Sequence, residues 1–153
     1  MTNYAGFWKR LLAAIIDGIL IGIVQWVILV PILAAMGIGA ASNMENMGDD
    51  PAAMMGAITA IFGAVNVIVT VVWVLYHTLM ESSKMQATVG KMALSIKVTD
   101  VNGAKLDFVK ALIRNLSKIV STMILFIGYI MAAFTEKKQG LHDIIAGTLV
   151  VNK

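Results

Sequence analysis

Two long apolar runs dominate the chain. From Leu11 to Met36 the sequence is interrupted only by Asp17 and Gln25, and from Met54 to Met80 it carries no acid or base except His77. A hydrocarbon core about 30 Å thick accepts roughly 20 helical residues. The pattern therefore predicts two transmembrane helices, over about residues 10–36 and 54–80. The first run is no cleavable signal peptide, whose apolar stretch spans about 7–15 residues; it is longer and contains an acid. A third run, Ile119–Phe134, is shorter, contains Gly128 and has Ser121 and Thr122 near its start. Runs of this length form re-entrant or interfacial segments, and a third span is the alternative.

Between and after these runs the period changes. In ALSIKVTD, Leu94, Ile96 and Val98 alternate with Ser95, Lys97 and Thr99, the two-residue period of a strand. Asn102-Gly103 predicts a type I′ turn, which needs positive φ at both central positions, and hence a β-hairpin. The terminal GTLVVNK would add a third strand if the tail returns to the same side. Asp107 is placed to cap the helix that begins FVKALIRNLSKIV. On that helix Lys110, Arg114 and Lys118 recur every four residues, opposite Leu112, Ile113, Leu116, Ile119 and Val120. The stripe predicts a helix in the interface with its basic face toward anionic headgroups; a plain solvated face is the other reading. The expected architecture is one domain, residues 1–153, of an all-α membrane protein. It has two transmembrane helices, an interfacial or re-entrant helical hairpin, and a small cytoplasmic β-hairpin or three-stranded element.

Composition supports the membrane reading. Of 153 residues, 59% are hydrophobic and 14% charged, against roughly 25% charged in soluble domains. Mean hydropathy is +0.84. One domain's length offers no large core to hide that excess. Without cysteine, neither disulfides nor thiolate metal sites are available.

Charge placement sets an expected topology. The loop 37–53 holds Glu45, Asp49 and Asp50 and no Lys or Arg. Lys9 and Arg10 precede the first span; Lys84, Lys91, Lys97, Lys105 and Lys110 lie in the strand–helix region 81–118; Lys137, Lys138 and Lys153 lie in the tail 135–153. The positive-inside rule then predicts a multi-pass protein of the cell inner (plasma) membrane, with a cytoplasmic N-terminus and the acidic loop outside. It also favours a re-entrant 119–134, which keeps the tail lysines inside. The pI of about 9.3 follows from these residues, whose natural partner is anionic lipid. Nothing points to nucleic acid.

The most informative residue is Asp17. An acid at the centre of a membrane helix costs about 2.5–3.5 kcal/mol on insertion scales, so compensation is required. Arg10 is seven residues earlier, on the same face and roughly 10 Å away along the axis. That distance calls for a second element to complete the site. The candidates are Asn66 and Thr70 in the second run, Gln25 further along the first, and Asp143 with its neighbour His142 in GLHDIIAGT. His77, read as interfacial, and His142 show no ligand set with metal spacing, so no metal is expected. TVGK lacks the first glycine and the Ser/Thr of a nucleotide loop; Gly90 is read as a turn before the strand. No cofactor and no enzymatic activity are expected.

Three separated segments resemble the RDD family of bacterial and archaeal membrane proteins, named for one arginine and two aspartates. FWKRLLAAIID supplies Arg10 and Asp17 at the family's spacing. ESSKMQATVGKMALSIKVTD resembles the region after the second span, in particular Glu81, Gln86, Ala87, Thr88, Gly90, Lys91 and Val98. GLHDIIAGTLVV carries the second aspartate, Asp143. Met92 stands where a basic residue is common in the family, and Ser95 where glycine is common. The resemblance implies an integral membrane protein; transport of an unidentified ligand has been proposed for the family, and cation/proton exchange for some members. Two functions are therefore expected. The first is a membrane adaptor or structural subunit acting in a homo-oligomer or with a membrane protein partner. The alternative is a transport component using Arg10, Asp17 and Asp143.

Overall fold

The computed structural model describes residues 3–47, 50–124 and 127–153, with side chains in the first helix as far as Pro31 and at Ala34. Its elements are α1 (Phe7–Met47), α2 (Pro51–Ser82), α3 (Val89–Ala93), β1 (Ile96–Asp100), α4 (Phe108–Met123), α5 (Ile127–Phe134), α6 (Leu141–Ala146) and β2 (Thr148–Asn152). Among the described residues, two segments are long and apolar enough to cross a membrane: Phe7–Pro31, with mean hydropathy 2.3, and Pro51–Ser82, with 2.4. The chain divides into two compact units, Leu20–Val72 on one hand, and Met1–Ile19 with Trp73–Lys153 on the other.

The unit Leu20–Val72 presents large apolar side chains outward, among them Ile23, Trp26, Val27, Phe62, Val67 and Val71. That is the surface a span offers to lipid. Two of its polar side chains are satisfied within their own helix: Asn66 donates to the carbonyl of Phe62 at 2.9 Å and Thr70 to that of Asn66 at 2.8 Å. Helix α1 is helical as far as Met47, so most of the expected loop 37–53 is helix. Asp49 and the side chain of Glu45 lie outside the described residues. Pro51 opens α2, where a missing N–H costs nothing. The Asp50 carboxylate accepts the Ala52 amide at 2.9 Å.

The other unit is built around a small sheet. Strand β1 pairs antiparallel with β2, Val98 opposite Val150, and Tyr4 extends the pairing by bridging Val151. Ala5, Ala13, Ile96, Val98, Leu106, Ala111 and Val150 form its buried apolar core. The hairpin expected at Asn102-Gly103 does not form. Gly103 has φ +82° but Asn102 has no positive φ, and the Asp100 side chain accepts the amides of Asn102 and Ala104 at 2.8 and 2.7 Å. This is an Asx-type turn that leads directly to α4, whose first turn Asp107 caps by accepting the Lys110 amide at 2.7 Å, as expected. The strand that pairs with β1 is the C-terminal one, more than 40 residues later in sequence.

The run Ile119–Phe134 is divided between α4 and α5, whose axes are bent by 104°; residues 125 and 126 lie outside the described ones. Beyond α5 the chain returns through α6 to β2, and Asn152 donates its amide to the Asn3 carbonyl at 2.9 Å. Both termini therefore lie in one small structure.

Helix α4 is turned opposite to expectation. Arg114 is 2% exposed and Lys118 7%, whereas Val109 is 60% and Val120 49% exposed. Lys110 alone of the three is exposed. The basic stripe faces inward because the buried face holds carboxylates, and the apolar residues face outward.

Candidate functional site

Asp17 reaches the buried interior from about three turns into α1 and is 2% exposed. Its carboxylate accepts the Gly90 amide at 2.8 Å, the Tyr76 hydroxyl at 3.1 Å and the Thr88 hydroxyl. The Tyr76 oxygen in turn accepts the Val89 amide at 3.1 Å. Thr88 and Gly90 come from the start of α3, so the free amides of a helix N-terminus receive the acid. The compensation is by neutral donors. Among the described residues Arg10 makes no ion pair with Asp17, and a second element completes the site, as the distance between them requires.

Arg10 instead turns to the tail. It donates from Nε to the carbonyl of Ala5 at 3.1 Å and pairs through Nη1 with Asp143. Asp143 lies near the start of α6, where its second oxygen also accepts the Gly140 amide at 3.2 Å. Arg114 completes its surroundings: Nε and Nη2 both reach the other carboxylate oxygen, Oδ1, at 2.8 Å. From its other side, Nη1 stands 2.6 Å from the carboxylate of Glu81. Glu81, at the end of α2, is fully buried and is also bound by Lys91 and by Asn115 Nδ2 at 3.2 Å. Lys118 stands 3.7 Å from Glu81 and 5.1 Å over the ring of Trp73.

The electrostatics of the tail follow from these contacts. Burial alone would raise the Asp143 carboxyl; the Arg114 and Arg10 guanidiniums outweigh it and hold the group well below the usual carboxylate range. Burial pushes the His142 imidazole down to about 3, with Asp143 opposing only in part. His142 is thus neutral, and its 3.5 Å approach to Asp143 is no salt bridge. Its Nδ1 has no hydrogen-bond partner among the described residues. Burial also lowers Lys91 despite the neighbouring Glu81.

Arg10 and Asp143 are thus brought together, Asp17 is held separately by the loop, and His142 borders Asp143. Gln25, Asn66 and Thr70 belong to the other compact unit. The loop residues are structural partners of the acids and of β1. Gln86, at φ 54°, accepts the Val98 amide at its carbonyl at 2.7 Å and donates from Nε2 to the Val98 carbonyl at 3.2 Å. Gly90 is not a turn residue: it lies in α3 where α1 passes closest. Ser95, where glycine is common in the family, has φ 53°, the left-handed region that glycine adopts without penalty. His77 is buried, with Nδ1 2.9 Å from the Trp73 carbonyl.

Sequence reasoning missed Glu81 and Asn115 as members of the charged site, and the inward role of Arg114 and Lys118. Glu81 carried a signal, being the first acid after an apolar run of 27 residues from Met54 to Met80. Among the described residues no group of three or more His, Asp or Glu side chains could hold a metal ion.

No solved structure matches the chain. The uncharacterized protein YxaI of Bacillus subtilis (strain 168) is 39% identical over 153 residues, the whole of both chains. The uncharacterized membrane protein YteJ of the same organism is 31% identical, over 98% of this chain and 82% of its own length. The RDD family pattern matches residues 4–147, a span that contains Arg10, Asp17 and Asp143, and the chain belongs to the RDD family of membrane proteins.

Proposed function

We propose that this RDD protein is a non-enzymatic structural or adaptor subunit of the membrane, acting in a homo-oligomer or with a membrane protein partner. The observation that carries the reading is Arg114 standing between Glu81 and Asp143, with Arg10 on the far side of Asp143. One connected set of charges joins α1, α2, α4 and α6. Buried ion pairs of this kind specify an arrangement more readily than they add net stability. Cation/proton exchange has less support from the same geometry. An exchanger needs a carboxylate free to alternate between proton and cation, whereas Glu81 and Asp143 are engaged by guanidinium and ammonium groups and Asp17 by hydrogen-bond donors.

In this reading the termini and the small sheet are cytoplasmic, and α4 with α5 re-enters rather than spans. The Asn3–Asn152 pairing supports one side for both ends, and the lysines of the tail favour the inside. Since the chain has no cysteine, Asn3→Cys and Lys153→Cys can each be labelled with an impermeant maleimide in intact cells. Protection of both until the cells are opened is expected; labelling of one alone overturns the topology. For the role itself, purified protein is placed in sealed vesicles with a pH-sensitive dye. Absence of cation-driven proton movement is expected. Movement that disappears in Asp17→Asn would replace the adaptor reading with exchange.

A further inference from the structure

A cavity of about 440 Å³ lies within the unit formed by Met1–Ile19 and Trp73–Lys153. Its size falls in the range of small-ligand pockets, about 300–1,000 Å³. The charged groups on its wall are Arg10, Lys91, Arg114, Lys118 and Asp17, with His77, Tyr129 and His142 as neutral polar ones. Asp17 is already saturated by neutral donors. The carboxylates that pair with the cations, Glu81 and Asp143, do not line it. What the cavity presents is therefore positive. The rest of its wall is apolar or aromatic, including Phe7, Leu11, Trp73 and Ile130.

A donor remains unused at this wall. Among the described residues, Nη2 of Arg10 is buried without a hydrogen-bond partner. The ammonium of Lys118 is buried and makes no hydrogen bond among them; Glu81, 3.7 Å away, is already engaged by Lys91 and Arg114. Leaving a buried cation without a full partner is costly, and an anion entering the cavity would supply one. The apolar wall suits a ligand whose charged group is joined to hydrocarbon.

We propose that this cavity binds a net-negative phosphate group, carried by the headgroup of an anionic phospholipid, with Lys118 and Arg10 as its donors. The phosphate oxygens supply the hydrogen bonds that Lys118 does not receive from Glu81, which it shares with Lys91 and Arg114, and the glycerol and upper chain lie against Trp73, Leu11 and Ile130. This inference does not depend on the adaptor reading, since a bound lipid is compatible with either role.

The chain has three tryptophans, so Trp8→Phe with Trp26→Phe leaves Trp73 in the cavity wall as the sole reporter. The delipidated protein in maltoside detergent is titrated with dihexanoyl phosphatidylglycerol, with dihexanoyl phosphatidylcholine and with inorganic phosphate. A saturable change in Trp73 emission with the glycerol lipid is expected, at a concentration about tenfold or more below that for the choline lipid. Lys118→Gln should weaken it by about tenfold or more, the loss of one charge-assisted hydrogen bond. Lys118→Arg should retain it. A response to inorganic phosphate at the same concentration as to the glycerol lipid keeps the anion site but assigns it to free phosphate. Equal responses to both lipids, no saturable response in the folded protein, or an undiminished response in folded Lys118→Gln overturns the proposal. If Lys118→Gln does not fold, the lipid selectivity of the starting protein and of Lys118→Arg decides alone.

Discussion

The amide nitrogen of Gly90 lies 2.8 Å from the carboxylate of Asp17. A Cβ at position 90 would sit 2.2 Å from the carbonyl oxygen of Ala13 and 3.0 Å from the Asp17 carboxyl carbon. The loop after α2 can reach the acid of α1 only because residue 90 has no side chain. The backbone of α1 cannot give way as a flexible side chain would.

Gly90→Ala should therefore push α3 from α1 and lengthen the bond to Asp17. Overpacking a tight contact costs about 1–3 kcal/mol, and loss of a hydrogen bond to a charged group adds about 1.5–3. Thermal unfolding in detergent, followed by tryptophan emission, should show a large fall in midpoint. A midpoint within a degree or two of the starting protein's would mean that α3 is not docked on α1 in this way.

Asp17→Asn tests the same pocket from the other side. The carboxylate only accepts, and Gly90, Thr88 and Tyr76 all donate to it. An amide directs its NH2 toward at least one of those donors. The expected loss is about 1–3 kcal/mol, and Thr88→Val should lose less because it removes one donor and leaves the acid two. If Asp17→Asn melts as the starting protein does, the donors are not bonded to this side chain.

The two spans are legible in the sequence because an unbroken apolar run of about twenty residues matches the thickness of a bilayer and exceeds what a small soluble core can bury. Asp17 is legible as well, since an acid inside such a run needs a partner, and Asp143 is legible as the second aspartate of the RDD resemblance. The partners themselves are not. Arg10 shares a helix face with Asp17 at a spacing that requires a second element, but nothing local says which; the tail brings Asp143 to Arg10 across 133 positions. The stripe of α4 misleads for a related reason. A helical period fixes which residues share a face, not which way the face turns. In water the charged side faces out, whereas here Glu81 and Asp143 draw Arg114 and Lys118 inward while Ile113 and Val120 stay exposed. The hairpin fails because Asn102-Gly103 is equally good at a turn that ends a strand, and the strand paired with β1 is the last in the chain.

Arg114 should be irreplaceable by lysine. Its Nε and Nη2 converge on one oxygen of Asp143 while Nη1 faces Glu81. A planar fork serves two acids at once, and an ammonium on a flexible stem does not. Breaking a buried pair costs about 3–5 kcal/mol, so Arg114→Lys should lose a substantial part of that despite conserving charge. Arg114→Gln should lose more. Unfolding midpoints for both are compared with Lys110→Gln, an exposed residue of the same helix that should change little. Equal, small effects for all three variants would place Arg114 outside the buried network.

The contact between Arg10 and Asp143 should register as coupling. Arg10→Ala leaves Asp143 buried with Arg114 alone, and Asp143→Ala leaves Arg10 without its acid. Because each single change already breaks the pair, the double variant should be less destabilised than the sum, by about 0.5–3 kcal/mol. Strict additivity would separate the two residues.

Stability should also fall in mild acid through His142. Its imidazole is held neutral by burial, with the folded value lowered from 6.5 to about 3. Below 6.5 the unfolded chain takes up a proton that the folded chain refuses, so the contribution is full above that pH and is lost as pH falls toward 3. At pH 5 the loss is about 2 kcal/mol, taking 1.36 kcal/mol per unit. Asp143, also lowered, acts in the same direction but only below its ordinary 3.8. His142→Asn should therefore flatten the melting midpoint between pH 7 and 5 relative to the starting protein, with His77 unaltered in both. Parallel pH profiles for the two proteins would show that residue 142 is protonated as easily in the fold as out of it.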